Sequence, residues 1–251
     1  MNKLVRFCLV QFVLLASVHA AIVIIAGAAR AQEQPVVDCV VAAYYPPYLI
    51  ADAEQNAGMS IEILREAARR AGRRIDIQFM PFQRALLTLK TNSRCMIPTL
   101  FRVAGRERQY MWIVDYDSSD LRFLTTSVPI DTLDDGRRLT SIGVETDSFA
   151  DQYLTRIGFE NLVRVSATTS SARMLSAGRI DAWVQSRPAA SRLWEELNLA
   201  PALQVGASVY SVPVYLAAGL NFSQDIALEY EAAVTEMLAD GTVRRIIDKY
   251  K

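Results

Sequence analysis

Residues 140–158, TSIGVETDSFADQYLTRIG, run from a short strand-forming stretch into a helix that Gly158 stops, and the recurrence of this unit decides the fold. Downstream, NLVRVS (161–166) reads as a strand and SSARMLSAG (170–178) as a helix opened by serines. IDAWVQS (180–186) is a further strand, and RPAASRLWEELN (187–198) a further helix. Upstream the alternation is the same. VVDCVVAAYY (36–45) is a β-branched run that ends at Pro46-Pro47, as a buried strand entering a loop does. SIEILREAARRAG (60–72) sets Ile61, Leu64, Ala68 and Ala71 at helical spacing and stops at Gly72. RIDIQFM (74–80) alternates like a strand, FQRALLTLKTN (82–92) is helical, and CMIPTL (95–100) returns to a buried strand. Such alternation predicts an α/β fold with parallel strands and right-handed crossovers. Two extended stretches, LRFLTTSVPI (121–130) and YSVPVYLAAGL (210–220), separate the two α/β units, and the second leads into two helical runs that meet at Asp240-Gly241. Two units joined by two crossings, with the last helices returning to the first unit, predict hinged lobes around a cleft.

The first 31 residues stand apart. Lys3 and Arg6 precede a long apolar run that closes on Ala29-Arg30-Ala31, the pattern of an export signal cleaved before Gln32, which places the protein in the periplasm. The run is long enough to span a bilayer, so an uncleaved anchor remains an alternative, and Gln11 and His19 inside it argue against one. The surroundings of Cys8 do not suit lipid attachment. The 220 residues after Ala31 carry 24 basic and 27 acidic side chains, with no dense basic stripe for nucleic acid or an anionic membrane. The single histidine, His19, lies in the signal, which excludes a histidine triad and a histidine-ligated metal from the mature chain. Cys39 and Cys95 remain, free to pair in an oxidising compartment or to pack as small buried hydrophobes.

Six collinear segments carry a family resemblance: YYPPYL (44–49) followed by Gly58 and a helix, PFQRALLTL (81–89), RVAGRERQYMW (102–112), IGVETDSFADQYL (142–154), SAGRIDAWVQS (176–186) and ADGTVRRIIDKY (239–250). In these the chain resembles the family 3 extracellular solute-binding proteins, which include the amino-acid receptors of ABC importers. The resemblance implies a periplasmic-binding-protein type II fold of two α/β lobes joined by two hinge strands, with lobe 1 at 32–122 and 217–251 and lobe 2 at 123–216. It aligns Arg106, after Val103-Ala104-Gly105 in place of a Thr-Pro-Glu-like triplet, with the residue that grips the ligand carboxylate through a planar fork of donors. Arg102 is a second candidate, and with Arg108 the segment also reads as a solvated charge cluster. Tyr45 aligns with an aromatic that stacks on the ligand, while Tyr44, Tyr48 and Phe82 divide between ligand contact and core packing. Ser148 opens the first helix of lobe 2, where free N–H groups receive an anion or the serine simply caps the helix. By the same topology Cys39 and Cys95 fall on neighbouring strands at similar height, within reach of a disulfide.

The departures bear on the ligand. An aspartate that pairs with the α-amino group in typical amino-acid receptors is replaced by Ser186, beside Gln185 and Arg187. The first-lobe Gly-Phe-Asp becomes Gly58-Met59-Ser60, and the hydroxyl-rich strand before the arginine reads Pro98-Thr99-Leu100-Phe101. A buried ammonium without a carboxylate is costly, so the resemblance implies a small carboxylate-containing ligand, amino-acid-like or lacking the amino group, unless Glu62 or Asp147 compensates. Asp181 reads as structural and Trp183 as core. The function expected is capture in the cleft and delivery to a membrane permease by a monomer without cofactor, metal or catalytic residues. A dehydratase-like enzyme with carboxylates in the cleft and a binding subunit of a sensor are the alternatives.

Overall fold

The computed structural model describes residues 37–51 and 57–250, so the export signal and its boundary at Gln32 lie outside the described residues. Strands β1 (Val37–Ala42), β2 (Arg74–Phe79), β3 (Cys95–Phe101), β4 (Tyr110–Thr125), β5 (Ile142–Glu145), β6 (Leu162–Val165), β7 (Ala182–Gln185) and β8 (Gln204–Gly219) form one sheet. Its order is β2-β1-β3-β8-β4-β7-β5-β6. Helices α1 (Met59–Arg70), α2 (Phe82–Thr91), α3 (Leu133–Arg137), α4 (Phe149–Arg156), α5 (Thr168–Ser176), α6 (Arg187–Glu196), α7 (Gln224–Ala239) and α8 (Thr242–Asp248) connect or cover the strands.

The α/β class and the two lobes expected from the alternation are present. Strand β1 pairs in parallel with β2 and β3, and β5 in parallel with β6 and β7. The expectation of parallel strands fails at the centre, where β4 pairs antiparallel with β8 and β7, and β8 antiparallel with β3. The reason lies in the connectivity: β4 carries the chain out of the first lobe and β8 carries it back. Each runs for 16 residues, well beyond the extended stretches read from sequence. The middle of β4 holds Asp115, Asp117 and Asp120, residues depleted in strands, and its pairing with the returning strand overrides that preference.

Each lobe has its own apolar core. In the first, Ile61 and Leu64 of α1 pack with Val214 and Leu216 of β8 and with Tyr230, Val234 and Met237 of α7 and Val243, Ile246 and Ile247 of α8. Gly241 separates these last helices at φ 75, a left-handed turn that glycine adopts without a Cβ clash. Buried Asp38 holds the start of β1 to this layer, accepting from Arg73 Nε at 2.6 Å, Arg73 Nη2 at 2.7 Å and Tyr230 Oη at 2.7 Å. Three donors on one carboxylate offset its desolvation. Cys39 and Cys95 are register partners on β1 and β3 and are joined by a disulfide, with Cα atoms 4.4 Å apart. In the second lobe Trp183 is fully buried with Leu124, Leu175 and Leu193. Asp181 accepts from the backbone N–H groups of Thr140 and Ser141 at 2.7 and 2.9 Å, tying the entry of β7 to that of β5.

Candidate functional site

The parallel strands of both lobes direct their carboxyl ends at the junction between them, the place where open α/β sheets bind ligands. From the first lobe, β1 ends in a loop that folds back on itself through the reciprocal bonds Tyr45 N–H to Leu49 O and Leu49 N–H to Tyr45 O, both 2.9 Å. The start of α1 fixes that loop, since Met59 and Ser60 donate to the carbonyls of Pro47 and Tyr48 at 3.0 and 3.1 Å. Gly58 makes this approach possible: its φ is 110, and a Cβ there would sit 2.4 Å from the Tyr48 carbonyl oxygen. Tyr45 is thereby held against Tyr48 and, edge on, Phe101, with ring centroids 5.3 and 6.1 Å away. After β3, a 3-10 turn at Ala104–Arg106 turns Arg106 inward. The second lobe supplies Glu145 at the end of β5, Ser148 and Phe149 at the start of α4, and Gln185 at the end of β7.

These residues enclose a cavity with about 60 Å³ available to the centres of water-sized molecules. Leu49, Ile97, Leu100, Phe101, Leu121, Phe149 and Val184 make most of its wall apolar. Such a chamber, apolar with few polar groups, suits a small ligand held by a small number of directed bonds.

Of the residues singled out from sequence, Tyr45, Phe82, Thr99, Arg106, Ser148 and Gln185 line this cavity. Arg106 is 1% exposed, and its guanidinium carbon lies 5.5 Å from the centre of the Phe82 ring. Its Nη1 donates to Phe101 O at 3.3 Å and its Nη2 to Asp147 O, whereas its buried Nε has no partner among the described residues. Burial holds the guanidinium pKa down to about 10. The side chain is a desolvated cation hydrogen-bonded to carbonyls; among the described residues no carboxylate forms an ion pair with it, and the charge of Asp147 only partly offsets its burial. Thr99 Oγ1 lies 3.3 Å from Tyr116 Oη, and Ser148 caps α4 by accepting from Asp151 N–H at 3.2 Å.

Arg102 and Ser186 fall outside the cavity wall. Arg102 is turned away by Glu107, which receives its Nε at 3.0 Å, and by the Trp112 and Tyr215 rings that flank its guanidinium at 5.6 and 5.2 Å. Ser186 is buried behind Gln185 as the residue preceding α6, with its Oγ 3.2 Å from Tyr45 Oη. Neither side chain expected to compensate for its missing carboxylate faces the chamber. Glu62 is held by Lys249 Nζ at 2.7 Å and by Tyr250 Oη, and Asp147 lines surface grooves next to the cavity.

The lobes meet directly. Tyr45 Oη donates to Gln185 Oε1 at 2.6 Å, Tyr44 Oη to Glu196, Gln83 Nε2 to Thr146 O, and Arg106 to Asp147 O. Phe101 and Phe149 add a ring contact across the same boundary at 5.5 Å. Burial raises the Tyr45 phenol well above its ordinary range, so it remains a neutral donor at all working pH values. Sequence reading missed Glu145, Phe101 and Phe149, although each stands at a strand's carboxyl end or a helix start, where the topology itself points to a site. Burial raises the Glu145 carboxyl to about pKa 7.

The model of the bacterial extracellular solute-binding proteins, family 3, matches residues 37–251. No curated protein matches the chain by sequence. Among solved structures, a histidine kinase sensor domain with similarity to periplasmic binding proteins superposes with a TM-score of 0.79 at 19% identity, covering 88% of this chain and 97% of that one. An ancestral arginine-binding protein bound to glutamine gives a TM-score of 0.75 at 19% identity, over 85% and 97% of the two chains. The arginine-, lysine-, histidine-binding protein ArtJ from the thermophilic bacterium Geobacillus stearothermophilus gives 0.75 at 16% identity, over 86% and 95%. At such identities these likenesses speak for the fold, and the family match spans both lobes and the strands between them: the chain belongs to family 3 of the bacterial extracellular solute-binding proteins.

Proposed function

We propose that the protein captures a small carboxylate-containing solute in the chamber between its lobes, without chemical change, and presents it from the periplasm to the permease of an ABC importer. The observation that carries this reading is Arg106, a buried guanidinium with an unpartnered Nε at the wall of a small cavity. An anion entering there gives the unpartnered Nε an acceptor in a charge-assisted bond, about twice as strong as a neutral one. Tyr45, Phe82 and Ser148 frame the ligand, with Thr99 and Gln185 bracing the wall. The lobes divide at 122/123 and 216/217, inside the two long strands β4 and β8. Their direct bonds favour closure, and a ligand touching both lobes favours it further.

The arginine-binding relatives support an amino-acid-like ligand, and the sensor-domain relative supports a second reading in which the closed form signals to a membrane partner. Calorimetry across amino acids, dicarboxylates, aromatic acids and sugars tests the capture reading. Binding of a carboxylate that is lost in Arg106→Ala is the expected result; tight binding of a neutral sugar, or affinity indifferent to Arg106, overturns it.

A further inference from the structure

Arg106 is not alone in lacking a charged partner at the cavity wall. Glu145, the last residue of β5, lines the same chamber from the opposite lobe, and among the described residues its carboxyl has no hydrogen-bonded or ionic partner. Arg106 and Glu145 do not pair with each other, and apolar side chains of both lobes make most of the wall they share.

The remaining polar groups of the wall are engaged. Thr99 faces Tyr116, Ser119 bonds Tyr48, Ser148 caps α4, and Gln185 accepts from Tyr45 while donating to Thr168 at 3.0 Å. At the end of β7, the Gln185 and Ser186 side chains both meet the Tyr45 phenol, so that end offers a ligand no free acceptor. The neighbouring strand does. Strands β5 and β7 run in parallel with Gly143 level with Trp183, which sets Glu145, two residues on, beside Gln185 at the mouth of the sheet. The chamber therefore offers a ligand a cation whose Nε is unpartnered and whose other donors reach only backbone carbonyls, and, from the opposite lobe, a carboxyl without a hydrogen-bonded or ionic partner among the described residues.

We infer that the ligand is a zwitterion, with its carboxylate on Arg106 and its ammonium on Glu145, so that Glu145 is the residue that selects an amino acid over the corresponding acid without nitrogen. This rests on the capture reading and sharpens it. A largely desolvated carboxylate without a partner is costly even where, as at Glu145, burial is partial, and a ligand ammonium offsets that cost only when it reaches the end of β5. A solute with the acid group alone satisfies Arg106 and leaves Glu145 unpaired.

The test uses matched pairs: each common amino acid and the 2-hydroxy acid bearing the same side chain, titrated calorimetrically at pH 8 into the wild-type protein, Glu145→Gln and Glu145→Asp, with thermal unfolding as the check on folding. At least one amino acid is expected to bind the wild type about tenfold or more tightly than its hydroxy twin, the range of a charge-assisted bond. Glu145→Gln should erase most of that preference while leaving hydroxy-acid affinity within about threefold, and Glu145→Asp should keep it. A hydroxy acid binding the wild type as well as its amino twin, or a preference that survives Glu145→Gln, overturns the inference and leaves carboxylate capture standing. Failure of every amino and hydroxy acid to bind overturns the inference, and failure of dicarboxylates and aromatic acids as well overturns the capture reading with it.

Discussion

The guanidinium of Arg106, in the first lobe, donates to the backbone carbonyl oxygen of Asp147, in the second. One buried cation is thus both a wall of the cavity and a tie between the lobes. Arg106→Ala is expected to weaken binding of a carboxylate ligand by about 100-fold, the scale of a lost hydrogen bond to a charged group, as measured by calorimetry. Arg106→Lys should recover only part of this, because an ammonium lacks the planar fork that meets a carboxylate with two bonds.

Glu145 makes stability depend on pH. Its carboxyl is raised by burial from the ordinary carboxylate range to about 7. Below about pH 4.5 the group is protonated in both folded and unfolded chains and has no effect on stability. As pH rises towards 7 the unfolded chain ionises first, so the folded state loses stability by up to about 3 kcal/mol, and the loss levels off above pH 7. Glu145→Gln removes this dependence. Calorimetric Tm values of the ligand-free variant should exceed the wild type by several degrees at pH 8 and match it near pH 4.5; equal values at both would deny the carboxyl its buried state.

Tyr44 and Tyr45 reach from the first lobe to Glu196, Gln185 and Ser186 of the second. Replacing both by phenylalanine keeps the rings and deletes the hydroxyls. At about 1 kcal/mol for each net hydrogen bond, the closed-to-open ratio of the ligand-free protein should fall by more than tenfold. A larger radius of gyration in solution scattering, reversed by ligand, is the expected signature.

The Cys39–Cys95 bridge closes a 56-residue separation across β1 and β3. Reduction, or Cys39→Ser with Cys95→Ser, should lower stability by about 2–4 kcal/mol, read as a fall in Tm. Because the bridge joins the strands near their amino ends, ligand affinity should stay unchanged. Alkylation of unreduced protein followed by mass spectrometry should find no free thiol among the two.

Much of this architecture was legible before any coordinates. Alternation of β-branched runs with glycine-stopped helices marked both lobes, and the resemblance to family 3 marked Arg106 by its aligned position. The unread parts share a cause: they depend on residues far apart in the chain. Glu62 is taken up by Lys249, 187 positions away, and the pairing that makes strand out of the aspartate-rich middle of β4 comes from β8. Arg102 resembles a ligand residue, but Glu107, five positions on, takes its Nε, and the Tyr215 hydroxyl that meets its Nη1 lies 113 positions on. Ser186 was read as a lost acid, whereas the nearest acid at that end of the sheet stands on β5, a strand that parallel pairing sets alongside.

Strands β4 and β8 bond to each other almost from end to end, from Tyr110 opposite Gly219 to Thr125 opposite Gln204, with shifts of register between Trp112 and Asp117 and again between Leu121 and Leu124. A twisted two-stranded ribbon bends and rolls far more readily than its strands slip past one another, and irregular pairing eases the bend where it occurs. Whatever enters the chamber can therefore be expressed outside it in essentially one variable, the angle between the lobes. A partner that gauged that angle would learn whether the chamber is occupied without touching the solute.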